Sequence, residues 1–249
     1  MEYNFTGKTV LVTGAGSGIG KGLCLKLSKC GAKVIAVSVI QKELDDLVEE
    51  VPSVQPICVD LAKWDETKSA LEKVGPVDGL VNNAGIALLA PFFDITEDEF
   101  DRSFDVNVKA ILCVSQVIGK GMVERKKGSI VNISSIASRF GYENHTVYCG
   151  TKTAVDGMTR AMALELGKHN VRVNCVCPVV VLTPLGRQWW SEPSRGKPML
   201  NRIPLGRFAE IEDIVNPVLF LLTDNASMIN GARLPVDGGH TTAPFHCLE

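Results

Sequence analysis

Short apolar runs alternate with longer helical patterns along the whole chain, and this alternation limits the folds open to it. Seven runs read as strands: Thr9 to Thr13, Lys33 to Val37, Gln55 to Val59, Gly79 to Asn82, Ser129 to Ile133, Val171 to Cys177 and Arg233 to Val236. Several are near-continuous in apolar residues, as strands covered on both faces are. Between them, helical spacing places Leu23, Leu25 and Leu27 in one helix and predicts others around Lys42 to Glu50 and Asp65 to Val74. Further helices follow at about Glu97 to Val123, Thr146 to Leu166 and Glu210 to Leu222.

Strands joined by helices run parallel, because the crossover returns the chain to the same end of the sheet. The fold predicted is α/β: one domain over residues 1–249, a doubly wound (Rossmann) parallel sheet of about seven strands with helices on both faces. A chain of 249 residues is long enough to build one such core. The stretch from Val179 to Arg202, rich in Pro, Gly and Trp, breaks the alternation and reads as a substrate loop or lid over about 179–202. Residues from about Thr241 on read as a tail.

The formal net charge is -2 and no basic run tracks a phosphate backbone, so no nucleic-acid partner is expected. Met1 to Phe5 lacks the basic and apolar regions of a signal peptide, and no apolar run reaches the length of a membrane span. Eight cysteines are scattered without a Cys-x-x-Cys pair, which reads as reduced thiols in a cytoplasmic protein. Cys175 and Cys177 share one strand face, but no further His or Cys completes a metal site there, and none is expected.

Two stretches carry chemistry. The first strand runs into Thr13-Gly14-Ala15-Gly16-Ser17-Gly18-Ile19-Gly20 and then a helix. Glycines there let the backbone turn tightly and approach a pyrophosphate, which the helix N-terminus beyond can bind. The spacing is Gly-x-x-x-Gly-x-Gly rather than the commoner Gly-x-Gly-x-x-Gly. The second stretch places Tyr148 and Lys152 four apart on one helix, so a phenol and an ammonium reach the same place. A nearby cation favours the ionised phenol and suits a tyrosine to proton transfer near neutral pH.

These motifs, with Asn82-Asn83-Ala84-Gly85, Asn107 and Ser135 in the same order, resemble the short-chain dehydrogenase/reductase family. The resemblance implies catalytic roles for Asn107, Ser135, Tyr148 and Lys152. Tyr148 would be the general acid for carbonyl reduction, and Lys152 would depress its pKa and hold the nicotinamide ribose. Ser135 would bind the substrate oxygen, with Ser134 pointing away. Asn107 would hold a relay water, or cap a local helix distortion. Cofactor contacts are implied for Gly14, Gly16, Ser17, Gly18, Ile19, Ser38, Val39, Asp60, Leu61, Asn83, Ala84, Gly85, Pro178, Val181 and Thr183, with Asn82 bracing the sheet. Asp60 would meet the adenine amino group and Leu61 would flank its ring.

Further stretches, among them Asn144-His145-Thr146-Val147-Tyr148-Cys149 and Met199 to Gly206, resemble the xylulose- and dicarbonyl-reducing branch of that family. That branch implies a homotetramer reducing L-xylulose to xylitol, and α-dicarbonyls, with NADPH. His145 and Trp190 would then line the substrate pocket with Ser135 and Tyr148; read from the residues alone, they are equally a loop histidine and a packing tryptophan. The branch carries basic residues for the NADP 2′-phosphate where this chain has Ser17 and Val39. Ser38 occupies the position of the acid that binds NAD, and Lys21 or Lys42 would have to supply the missing charge. NADP(H) is therefore expected, with NAD(H) not excluded. Other readings are a family reductase for a lipid, steroid or 3-oxoacyl carbonyl, and a non-catalytic dinucleotide-binding scaffold.

Overall fold

A computed structural model describes residues 3–242. Seven strands form one parallel sheet in the order β3-β2-β1-β4-β5-β6-β7: β1 (Thr9–Thr13), β2 (Lys33–Ser38), β3 (Gln55–Cys58), β4 (Gly79–Asn82), β5 (Gly128–Ile133), β6 (Val171–Pro178) and β7 (Arg233–Val236). Around it lie α1 (Gly18–Lys29), α2 (Gln41–Glu50), α3 (Trp64–Leu71), α4 (Glu97–Phe104), α5 (Ala110–Glu124), α6 (Thr146–Gly167), α7 (Pro184–Trp190), α8 (Pro193–Leu200) and α9 (Ile211–Leu222).

The period of two along each strand divides the core. Val10 and Val12 of β1 pack with Leu23 and Leu27 of α1, Leu44 and Leu47 of α2, and Leu219 of α9. Leu11, between them, points the other way, to Leu71 of α3 and Val114 and Met122 of α5. β2 repeats the division, with Val34 and Ala36 on one face and Ile35 and Val37 on the other. Each fully buried Leu or Ile adds roughly 1.5–3 kcal/mol relative to leaving it exposed. β3 is the edge strand, where Pro56 can lack an N–H without breaking a central ladder. The order reverses between β1 and β4, so the loops beyond their carboxyl ends open a crevice between them.

Two regions differ from the sequence reading. The helix expected from Glu97 to Val123 is interrupted by a π-helical segment, Asp105–Lys109. Asn107 lies within it, fully buried, and its amide bonds the backbone of Ile86, accepting from the N–H at 2.8 Å and donating to the C=O at 2.8 Å. The run Glu97–Glu124 is by length and composition apolar enough to cross a membrane, but 56% of its most apolar window is buried inside the protein, as in a core helix. The expected loop at 179–202 is mostly helical, because Pro184 and Pro193 begin α7 and α8 at positions where a missing N–H costs nothing. Thr241 and Thr242 still fold onto the Asp237 turn; the rest of the expected tail, with Cys247, and Met1 and Glu2 lie outside the described residues.

Gly20 tests the closest packing beside the crevice. A Cβ there would strike the Gly14 carbonyl and come 2.6 Å from Asn83 Nδ2. Gly20→Ala is expected to lower stability by about 1–3 kcal/mol in urea unfolding. Gly75→Ala, where a Cβ meets nothing within 4 Å, should stay within about 0.5 kcal/mol.

Candidate active site

The loop between β1 and α1 is held against the end of β4 by side chains of both. Thr13 Oγ1 accepts from the N–H groups of Asn83 and Ala84, each at 3.0 Å. Asn83 Nδ2 donates to the carbonyls of Thr13 (3.0 Å) and Gly14 (3.1 Å). Gly14 and Gly18 have positive φ, and a Cβ on Gly14 would lie 2.8 Å from Ala84 Cα. Ser17 precedes α1 but its side chain makes no capping bond, so the first-turn N–H groups keep no side-chain partner. Thr183, the N-cap of α7, reaches this loop, its Cγ2 3.1 Å from where a Cβ on Gly18 would sit. These features form a cradle for a pyrophosphate at a helix N-terminus. Asn83, expected to line the cofactor, turns its amide to the glycine loop instead. Asn82 braces the interior, bonding Ser115 and Asn132 at 3.0 and 2.8 Å.

Ser135, Tyr148 and Lys152 converge at the carboxyl end of β5. Ser135 caps a 3-10 turn, Ile136–Ser138, and its Oγ accepts from the Ala137 N–H at 3.1 Å. The same hydroxyl lies close enough to the Tyr148 phenol to lower its pKa. Lys152 Nζ lies 5.6 Å from the centre of the Tyr148 ring and donates to the Ile133 carbonyl at 3.0 Å. Asn107 Nδ2 donates to Thr151 Oγ1 at 3.1 Å, tying the π-helical segment to α6. A Cβ on Gly85 would sit 3.3 Å from Asn107 Oδ1 and 3.5 Å from Lys152 Nζ, so all three share one corner. Ser134 faces away, donating to Asp156 Oδ1 at 2.6 Å.

The electrostatics correct one expectation. Burial pushes the Tyr148 phenol above its usual value, and the Ser135 hydroxyl offsets this only in part. Burial lowers the Lys152 ammonium to about 8, against the pull of Cys177 and Asp156. Burial thus outweighs any lowering of the phenol by the neighbouring ammonium. Desolvation opposes both charges, and the tyrosine keeps its proton, the form an acid needs.

The adenosine side is less equipped than the sequence suggested. Val39 is 56% exposed and its side chain brings no charge. Lys21 is paired with Glu50 at 2.8 Å and Lys42 with Asp46 at 3.1 Å, so neither is free to neutralise a phosphate at Ser38. Asp60 accepts from the Ala62 N–H at 3.0 Å and pairs with Arg102 at 3.1 Å. Partial burial raises its pKa, but these contacts prevail and hold it below the usual range. Leu61 is buried in the core rather than standing over the crevice.

On the substrate side, the His145 ring meets the Tyr148 ring edge-on at 6.1 Å. Its Nδ1 is 2.6 Å from the Glu143 carbonyl. Trp190 packs against Phe208, 5.9 Å between rings, so the packing reading describes it. Pro178 is buried at the end of β6, and Val181 bridges to Ala209. Sequence reasoning missed Tyr142, its ring tilted against His145 at 5.8 Å between centroids and its hydroxyl 2.9 Å from His240 Nε2. His240 lies far along the chain, and no local pattern announces it.

Asp156 joins Cys175 and Cys177 in a buried cluster that the sequence did not reveal. Its carboxylate is taken by Ser134 and by Arg233 Nε at 2.7 Å, so the cluster reads as an ionic hydrogen-bond network beneath Lys152. The large cleft between α3 and α5, about 860 Å³, holds none of the convergent groups.

A parallel sheet with a glycine cradle, a Ser–Tyr pair and a lysine below defines a nucleotide-dependent oxidoreductase. The family model described as enoyl-(acyl carrier protein) reductase matches residues 14–241. The chain belongs to the short-chain dehydrogenase/reductase family. It is 55% identical to L-xylulose reductase of Mus musculus over 96% of this chain and 98% of that one. It is 48% identical to D-erythrulose reductase of Gallus gallus over 96% and 97%. Among solved structures, a putative NAD(P) dependent gluconate 5-dehydrogenase from Beutenbergia cavernae, with bound NADP, aligns with a TM-score of 0.92. Its identity is 34% over 98% of this chain and all of that one. The chain is thus an oxidoreductase with a carbonyl-reductase site.

The lysine is testable without ligand. Its folded pKa of about 8 lies below the unfolded 10.5, so between these values the unfolded chain binds more protons and rising pH favours the fold. The stability of the native chain relative to Lys152→Met should therefore rise by about 2–3 kcal/mol from about pH 7 to about pH 10. Denaturant unfolding at several pH values reads this, and a difference independent of pH contradicts the burial of a titrating ammonium.

Proposed function

We propose that the chain reduces L-xylulose to xylitol, and small α-dicarbonyls to hydroxyketones, with NADPH. The observation that carries this is the convergence of Ser135, Tyr148 and Lys152 at the end of β5, in a chain 55% identical to an L-xylulose reductase. A bound nicotinamide supplies the hydride. Ser135 donates to the substrate carbonyl oxygen, so charge developing there meets a fixed donor. Tyr148, kept neutral by burial, passes its proton to that oxygen. Lys152 holds the ribose and restores the proton through a water kept by Asn107; their shared corner at Gly85 supports this relay.

NADP(H) is supported by the absence of an acid at Ser38 and by the NADP bound to the solved relative. NAD(H) stands as a second donor, because no side-chain cation faces a 2′-phosphate. The aromatic wall of Tyr142 and His145 favours a second reading, a reductase for an apolar ketone. Cofactor consumption with L-xylulose, diacetyl and an apolar ketone decides between them: a clear preference for the ketone overturns the sugar reading. We further propose a cytoplasmic homotetramer. Exposed Phe100, Leu112 and Leu164 on α4, α5 and α6 support the assembly.

Tyr148→Phe should lower kcat/KM by about 10²–10⁴ while nucleotide affinity stays within about threefold, since only the proton donor is lost. Retained turnover contradicts the role. Val39→Arg, adding a cation beside Ser38, should lower the KM for NADPH by about tenfold and leave that for NADH unchanged. An unchanged KM shows that another cation already makes the contact.

A further inference from the structure

The rim of the crevice beside β2 carries a carboxylate. Glu43 lies in the first turn of α2 and its side chain runs back toward the sheet. Its Oε2 is 3.4 Å from Ser38 Oγ at the end of β2. It also covers Gly16 of the glycine loop: a Cβ there would strike the carboxylate and lie 2.6 Å from Glu43 Cβ. The carboxylate thus spans the end of β2 and the loop after β1. In doubly wound dinucleotide sites, these two segments flank the adenosine ribose.

No described lysine or arginine pairs with Glu43, and the cations on the neighbouring helices are occupied by Glu50 and Asp46. Val39 adds no charge. The rim where a 2′-phosphate would lie is therefore net negative.

We infer that Glu43 sets the choice of nucleotide, accepting a hydrogen bond from the ribose 2′-hydroxyl of NAD(H) and repelling the 2′-phosphate of NADP(H). The native chain then discriminates little between the two, and Glu43 is what holds it back from NADP(H) selectivity. This rests on the nicotinamide-dependent reading of the site given above. The position is not the one at the strand end where an acid is expected; the carboxylate reaches the same place from five residues further on. At contact distance even a screened like charge costs about tenfold in affinity or more. A purely structural Glu43, favourable at a helix N-terminus, would alter stability and leave nucleotide choice alone.

Calorimetric titration of the native chain, Glu43→Gln and Glu43→Lys with NADP⁺ and with NAD⁺ separates these. Glutamine keeps the shape and the Ser38 contact while removing the charge. The NADP⁺-to-NAD⁺ affinity ratio should be near even for the native chain, rise about tenfold in Glu43→Gln and rise further in Glu43→Lys. A native ratio already strongly favouring NADP⁺, or the same ratio in all three chains, overturns the inference while leaving the reductase reading intact. Failure of the native chain to bind either nucleotide contradicts the reductase reading and takes this inference with it.

Discussion

A buried ammonium organises the catalytic end of this protein. Lys152 is 5% exposed, and the one hydrogen bond of its ammonium among the described residues is to the Ile133 carbonyl at the end of β5. A charge so placed would be expelled without partners, because desolvation is costly. Asp156 and Cys177 supply them at longer range, and Arg233 and Ser134 in turn hold Asp156. The network explains why two cysteines and an aspartate far apart in sequence meet under α6. It keeps the lysine charged near neutral pH while burial brings its pKa close enough to exchange a proton. Tyr148 gains from the same dry surroundings, which keep its phenol protonated until a substrate oxygen arrives.

The cofactor side follows a different rule. There the backbone does the positioning, through positive-φ glycines, the free N–H groups of α1 and the Thr13–Asn83 lock between β1 and β4. This arrangement needs no charged side chain to hold a pyrophosphate, which leaves the adenosine end to decide which nucleotide enters. That end lacks the basic residues of the xylulose-reducing branch and presents Glu43.

Much of this was legible in the sequence, for physical reasons. Strands buried on both faces must be apolar, so all seven were visible, and Tyr148 and Lys152 are joined by local helix geometry. Ser135 was visible from its place after β5. The π-helical turn at Asn107 was only half legible: the asparagine hinted at a distortion, but its cause, the Ile86 backbone, comes from another loop. Proline misled at 184 and 193, because a residue that breaks a helix interior also begins one well. Leu61 and Asp60 were placed by resemblance, and the tertiary partners they take, the core for Leu61 and Arg102 for Asp60, were not legible in the spacing. Glu43, Tyr142 and His240 were invisible because each acquires its meaning from a partner that no spacing predicts. The phenol's pKa was misread because a neighbouring cation was weighed without the burial that both groups share.

The account depends on the Ser135 hydroxyl lying close enough to act on the Tyr148 phenol. Ultraviolet titration of tyrosinate, taken as the difference between chains with and without the Tyr148 phenol, isolates this one group. The measurement is made with Ser135 present and with Ser135→Ala. The account predicts that Tyr148 titrates above the ordinary phenol range in the nucleotide-free protein and moves higher still when the serine hydroxyl is removed. An identical titration in both backgrounds would show that the serine does not act on the phenol, and the proton-transfer site built on the two would fall.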